Sequence, residues 1–266
     1  YDLYKKGELP YEWYEDIFSY CKKIDLTLFS SPFDLDAVDL LEKFNCPIYK
    51  VASFEIQHIP LLQRISKTKK PVIISTGIAE LSDIEKAITY FEKDKVTLLK
   101  CTSEYPALIE DSNLNNISFL KNEFDVKVGL SDHTLGKECA MAAVAIGATT
   151  IEKHYILDRK KGGLDAAFSM EPNEFKDMVK SIRKIESALG NNEFKLSNGS
   201  LKNKNRGRKI YISKDVKSNQ IIDKSNITIV RGSLGLEPLH YYEILGQKFS
   251  SNFKKGDPLT FDKILK

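Results

Sequence analysis

Val128-Gly-Leu-Ser-Asp-His-Thr134 and Thr150-Ile-Glu-Lys-His-Tyr155 decide how this chain is read. Each is a short apolar run that stops abruptly in polar, ligand-capable side chains. Between them, Cys139-Ala-Met-Ala-Ala-Val-Ala-Ile-Gly147 reads as a small-residue helix able to pack closely on a sheet. Strand, crossover helix and strand in that order give two neighbouring parallel strands. Such strands deliver His133 and His154 to the same end of one sheet. Imidazole suits a divalent transition metal. A lone strand-end histidine more often satisfies a core hydrogen bond. The matched placement of two is what favours a ligand role.

The same unit recurs outward from this pair. Residues 26–31, 48–53, 71–77, 96–102, 126–130 and 149–154 read as strands. Helical patterns occupy residues 10–23, 35–44, 60–67, 114–123 and 174–189, and another opens at Ser82-Asp-Ile-Glu85, a capping-box pattern. In the first, Trp13, Ile17, Tyr20 and Cys21 share a face. Asp34 reads as an N-cap, and Gly190 stops the last helix. Apolar strands alternating with amphipathic helices mean a parallel βαβ architecture of class α/β. No GxGxxG follows a strand, which disfavours a dinucleotide-binding doubly wound sheet. Nearly every strand ends in Ser, Thr, Lys or His, as on the active face of a (β/α)8 TIM barrel. Six visible units fit a barrel whose first two strands lie upstream of Tyr1. Open edges would then make this chain less stable than its parent protein. The expected division is a barrel domain over residues 1–190, a polar linker over 191–205 and a small loop-rich domain over 206–266.

Bulk properties narrow the function. Forty basic residues against 37 acidic ones, well mixed and leaving a net charge of +3, argue against a dedicated nucleic-acid surface. No apolar run is long enough to span a membrane, and no signal peptide is recognisable. Cys21, Cys46, Cys101 and Cys139 have no metal-type spacing and read as reduced core thiols of a cytoplasmic protein.

Candidate chemistry gathers at the strand ends. Lys50, Lys100 and Lys153 occupy comparable positions, where a lysine serves as an anion partner, a Schiff-base nucleophile or a solvated surface group. Ser31, Ser53, Ser75, Thr76, Thr102, Ser103 and Ser131 form a set of hydroxyls suited to phosphate. Gly77 and Gly129 permit close backbone approach. A single strand-end serine is usually a turn former; the repetition carries the signal. Glu55, Glu104, Asp132, Glu152 and Asp165 supply carboxylates, and Asp132 is a candidate to orient the imidazole beside it, although neighbours on a strand face opposite ways. The loop Gly162-Gly-Leu-Asp-Ala-Ala-Phe-Ser169 is a candidate substrate loop. His58 and His240 read as structural.

Lys50-Val-Ala-Ser-Phe-Glu55, Ser75-Thr-Gly77, Leu99-Lys-Cys-Thr-Ser-Glu-Tyr-Pro106, Gly129-Leu-Ser-Asp-His-Thr134 and Ile151-Glu-Lys-His154 together resemble the nonulosonic (sialic) acid synthases. The resemblance spans essentially the whole chain, with residues 206–266 similar to the antifreeze-like (SAF) domain of those enzymes. Pro10-Tyr-Glu-Trp13, Ala52-Ser-Phe-Glu55 and Ala167-Phe-Ser169 resemble the pseudaminic acid branch. The resemblance implies a transferase that condenses phosphoenolpyruvate with an N-acetylated amino sugar, here 2,4-diacetamido-2,4,6-trideoxy-altrose. It implies Mn2+ or Mg2+ on His133 and His154, with Lys50 and Glu55 as further catalytic residues. Phosphoenolpyruvate would lie against Ser31, Ser53, Ser75, Ser103 and Ser131, with Ser103 standing where many sialic acid synthases have Asn. Tyr105, Asp165 and Ser169 would contact the sugar, and Arg208 would reach the partner's site in a domain-swapped homodimer. Sialic or legionaminic acid synthesis, a Schiff-base aldolase using Lys50, and a non-catalytic sugar- or ice-binding module stand as alternatives.

Overall fold

Apolar residues at every second strand position dictate one buried sheet face, and the strands comply. The structure, a computed structural model, describes residues 9–204 and 206–265. The strands β1 (Tyr49–Val51), β2 (Val72–Ser75), β3 (Val96–Cys101), β4 (Lys127–Asp132) and β5 (Thr150–Lys153) form one parallel sheet in sequence order. The register aligns Val51, Ile74, Leu98 and Val128 across the sheet. These belong to the main core, which the flanking helices cover. The opposite face brings Cys101, Ser131 and Glu152 into one row, with Lys50 and Ser75 nearby. This alternation separates packing from chemistry.

Helices follow the strands. The helix α1 (Trp13–Lys23) begins after Pro10, with Glu15 and Asp16 in its first turn and Lys22 and Lys23 in its last, each complementing the helix dipole. Its packed face differs from the one the spacing suggests. Tyr14 and Phe18 stack on Phe44, whereas Trp13 and Tyr20 are exposed. In α2 (Leu35–Lys43), Asp34 caps the N-terminus by accepting from Ala37 N at 2.7 Å. The helices α3 (Ile59–Ser66), α4 (Leu81–Ile88), α5 (Asn115–Phe124), α6 (Glu138–Ala145) and α7 (Pro172–Leu189) complete the unit. The capping box of α4 is formed by Glu80 and Asp83, two residues before the expected Ser82, because Asp83 reaches back to Glu80 N at 2.9 Å. The small residues of α6 let Ala140 and Val144 pack against Met178 and Ile182 of α7. Gly190 ends α7 at φ +61°, a conformation costly for any residue with a Cβ.

Residues 26–31 do not form the expected strand. Among the described residues only Ser30 bridges to Tyr49, and Lys50 N donates to Ser30 O at 3.2 Å. Paired on one side only, this segment leaves Leu26 exposed.

The chain divides into compact units at Gly190 and Asn191. The stretch expected as a linker carries a short helix, α8 (Asn198–Lys204). In the second unit, β6 (Arg208–Ile212) pairs antiparallel with β7 (Ile227–Arg231), α9 (Tyr241–Ile244) follows, and β8 (Lys248–Phe249) pairs with β9 (Ile264–Leu265). Its core is Ile210, Ile212, Ile222, Ile244, Phe249 and Leu259, all essentially inaccessible. Among the described residues no helix is long and apolar enough to cross a membrane.

Candidate active site

Because the strands are parallel and in register, their C-terminal ends converge. A cavity of about 350 Å³ opens there, lined by Ser31, Lys50, Ser53, Ser75, Tyr105, Ser131, His133 and His154 among others. These eight are all residues expected from the sequence.

Lys50 crosses the cavity floor from β1. Its Nζ donates to Ser75 Oγ at 2.8 Å and to Val51 O at 3.1 Å, and lies 3.6 Å from Glu152 Oε2. Burial lowers its pKa, partly offset by the Glu152 carboxylate. Ser131 Oγ donates to Glu152 Oε1 at 2.6 Å, which aims that carboxylate. Gly77 N donates to Ser53 Oγ at 3.1 Å. A Cβ on Gly77 would fall 2.1 Å from Ser103 Oγ and 2.9 Å from Ser53 Oγ, so only glycine lets this backbone reach the hydroxyls. A buried cation, small donors and a close backbone make a cradle for phosphate or carboxylate.

The imidazoles stand opposite. His133 Nδ1 lies 2.7 Å from Thr102 O, and since a carbonyl only accepts, Nδ1 carries the proton and Nε2 keeps its lone pair. Burial pulls its pKa down, but the Cys101 thiol and the Thr102 carbonyl outweigh this and leave it raised. His154 Nδ1 sits 3.4 Å from Asp165 Oδ2. Its pKa is lowered by burial and by neighbouring His133. The two rings are 5.2 Å apart between centroids, with the Tyr105 ring 4.2 Å from His133 and the Phe168 ring 5.0 Å from His154. Burial raises the Tyr105 phenol. Among the described residues no group of three or more His, Cys, Asp or Glu is arranged around one ion. The two imidazoles, 5.2 Å apart between centroids and with His133 Nε2 left as a lone-pair donor, are the groups whose chemistry fits a divalent ion.

Other expected residues fall elsewhere. Ser169 is buried but turns back into its own loop, its Oγ donating to Asp165 O at 2.7 Å. It shapes the loop that presents Asp165. Thr76 Oγ1 donates to Leu99 O and Thr102 Oγ1 donates to Asp111 O, so neither hydroxyl proton is free for an anion. Ser103 lies beside Cys101, 3.9 Å from its Sγ. Glu55 sits on a 3-10 turn after β1; its Oε2 is buried without a hydrogen-bond partner, and burial raises its pKa. Arg208 belongs to the second unit, opposite Arg231 in the β6–β7 pair. One lining group differs from its sequence reading, and one carboxylate candidate joins it. Cys101 was read as a core thiol, yet its parity with Ser131 puts it in the cavity. Burial raises the Cys101 thiol, but hydrogen bonds from His133, Ser53 and Ser131 prevail and lower it. Glu152 shares that row, a position its spacing from His154 already indicated.

Comparison with known proteins places the chain in a family. Residues 1–194 match the NeuB family, and residues 207–265 match the SAF domain. The chain belongs to the NeuB family. A pseudaminic acid synthase of Helicobacter pylori is 43% identical over 268 residues, covering 99% of this chain and 79% of that protein. An N,N'-diacetyllegionaminic acid synthase of Campylobacter jejuni is 38% identical over 261 residues, covering 96% of this chain and 78% of the relative. The solved N-acetylneuraminic acid synthetase of Leptospira borgpetersenii, in complex with citrate, is 33% identical with a TM-score of 0.73, over 76% of this chain and 71% of its own. The five-stranded parallel sheet of this NeuB-family chain is accordingly an arc of a (β/α)8 barrel, followed by an antifreeze-like SAF domain.

Proposed function

We propose that this chain is a pseudaminic acid synthase, joining phosphoenolpyruvate to 2,4-diacetamido-2,4,6-trideoxy-altrose with release of phosphate. The observation that carries the reading is the meeting of an anion cradle and a histidine pair in one cavity. The 43% identity to enzymes so named, against 38% for the legionaminic acid synthase, favours the pseudaminic branch.

Lys50, Ser53, Ser75 and the Gly77 backbone hold the phosphate and carboxylate of phosphoenolpyruvate. His133 and His154 hold Mn2+ or Mg2+, which supplies Lewis-acid polarisation of the sugar aldehyde when bound. C3 of the enol ether attacks the aldehyde carbon and forms the new C–C bond. Positive charge develops at C2, where a water molecule adds and loses a proton. The C2–O bond to phosphate then breaks and phosphate leaves. Lys50 and the hydroxyls stabilise the phosphate as charge moves onto it. Glu152, 3.6 Å from Lys50, steadies that cation, and Tyr105 and Asp165 face the sugar. The enzyme is a homodimer in which Arg208 of the SAF domain serves the partner's site, and it works in the cytoplasm, where its four free cysteines stay reduced.

The test is phosphate release from phosphoenolpyruvate and the altro-configured sugar. Release should need Mn2+ or Mg2+, stop on chelation and return on adding metal, and be absent in His133→Ala. Full release after chelation would remove the metal from the reaction, and borohydride trapping on Lys50 would then favour the aldolase.

A further inference from the structure

The parallel ladder between β4 and β5 ends at the pair Asp132 and Lys153. His133 and His154 are the next residues along each strand, so no ladder rung ties one imidazole-bearing residue to the other. Ala107 N donates to His133 O at 3.0 Å and Met170 N to His154 O at 2.8 Å, which ties each histidine to its own loop but not one to the other. On the opposite face of the same strands, Asp132 Oδ2 accepts from Lys153 Nζ at 2.8 Å, and each side chain is only 1% exposed. Lys153 Nζ also donates to Thr134 O at 2.5 Å. Asp132 Oδ1 accepts from Thr134 N at 2.9 Å and from Thr134 Oγ1 at 2.7 Å. His133 is thus bracketed along the chain by two residues bonded to Lys153, and Lys153 is the residue before His154.

We propose that Asp132 and Lys153 are positioning residues that set the spacing of the two imidazoles from behind the sheet, without touching the ion. The proposal rests on the reading of His133 and His154 as a metal pair. Metal–ligand distances keep within about 0.2 Å of their standard values. Two side chains beyond the last rung need an external brace to meet that tolerance. The brace is polar where the surrounding layer is apolar: Val128 and Leu130 of the same strand face belong to the core. A buried ion pair contributes little net stability, since desolvation offsets attraction, and its best-attested use is to fix register. Asp132 therefore does not orient the neighbouring imidazole directly, as its place in the sequence suggested. The strand alternation turns it to the other face.

Mn2+ titrations, followed by loss of the free-ion electron paramagnetic resonance signal, test this on wild type, His133→Ala, the double variant Asp132→Leu/Lys153→Met, Asp132→Asn and Lys153→Arg. Melting curves and the visible spectrum of the Co2+-loaded protein accompany them. Wild type should bind Mn2+, and His133→Ala should not. The double variant carries no unpaired charge but leaves buried Thr134 N, Oγ1 and O without partners, so it should fold with a lowered melting temperature and bind Mn2+ at least about tenfold more weakly with an altered Co2+ spectrum. The isosteric Asp132→Asn should weaken binding comparably, giving a second reading should the double variant fold poorly. Lys153→Arg should recover most of the affinity. A folded double variant that binds Mn2+ as wild type does, with the same Co2+ spectrum, would overturn the positioning role and leave the metal reading intact. Absence of binding in wild type would overturn the metal reading itself.

Discussion

Replacing Lys50 with methionine should separate chemistry from stability. Lys50 is 6% exposed, and its ammonium donates to Ser75 Oγ and Val51 O and has Glu152 3.6 Å away. Methionine removes two charge-assisted hydrogen bonds, each worth about 1.5–3 kcal/mol net. The ion pair adds little, because the Glu152 side chain is 39% exposed and solvent screens it. Against these losses stands relief from holding a desolvated ammonium, a penalty of roughly several kcal/mol per buried ion. The terms nearly cancel. The melting temperature of Lys50→Met should therefore stay within about 4 °C of wild type. Catalysis should not survive as well. Loss of a preorganised donor at developing charge costs about 2.7–4 kcal/mol, or roughly 10²–10³-fold in kcat/KM. The pH dependence gives the sign. The folded-state pKa of Lys50 lies below its ordinary 10.5, so the unfolded chain binds this proton more tightly. Wild-type stability should then rise with pH through the window from the lowered value to 10.5, and Lys50→Met should lack that rise. Paired melting curves from pH 7 to 10 and a phosphate-release assay read both quantities. A variant that unfolds with its loss of activity, or that keeps wild-type turnover, would refute the reasoning.

Three further outcomes follow from the same geometry. Gly77→Ala should raise KM for phosphoenolpyruvate about tenfold, equivalent to about 1.4 kcal/mol, because the added Cβ displaces Ser103 and Ser53; steady-state kinetics measure it, and an unchanged KM would place the phosphate elsewhere. Glu55→Gln should raise the melting temperature at pH 8 but not at pH 4: the folded pKa of Glu55 is raised by burial, so its contribution to stability is intact below the ordinary 4.5 and is lost as pH climbs through the folded value. Equal shifts at both pH values would contradict this. Phe249→Ala, at an inaccessible position of the small unit, should cost about 3–5 kcal/mol and open that unit to limited proteolysis while the barrel unit keeps its hydrogen-exchange protection; uniform protection loss in both units would show that they do not unfold separately.

Much of this arrangement was legible in the sequence because a parallel sheet encodes itself twice, in apolar strands and in the helices between them. The placement of His133, His154, Lys50, Ser53, Ser75 and Ser131 required only that strands in sequence order end together, which they do. What escaped depends on information that periodicity does not carry. Periodicity names a face, and the lateral register decides who meets across it. Lys153 read as a possible surface lysine, yet it is sealed against Asp132 on a neighbouring strand. Cys101 reads as core until its row with Ser131 and Glu152 is known. Ser169 matches the motif for a sugar contact, but a turn within its own loop takes up the hydroxyl. Residues 26–31 have strand-like composition, but a single bridge from Ser30 to Tyr49 makes no ladder.

The central claim is the reaction itself, and a competition assay reaches it most directly. With Mn2+ and limiting phosphoenolpyruvate, equal amounts of the altro-configured diacetamido sugar and N-acetylmannosamine are offered together, and the nine-carbon products are resolved by mass spectrometry. The account predicts that the diacetamido product appears in step with phosphate and that the N-acetylneuraminate mass stays at background. Predominance of N-acetylneuraminate would contradict the pseudaminic assignment, and absence of any nine-carbon product would contradict the condensation.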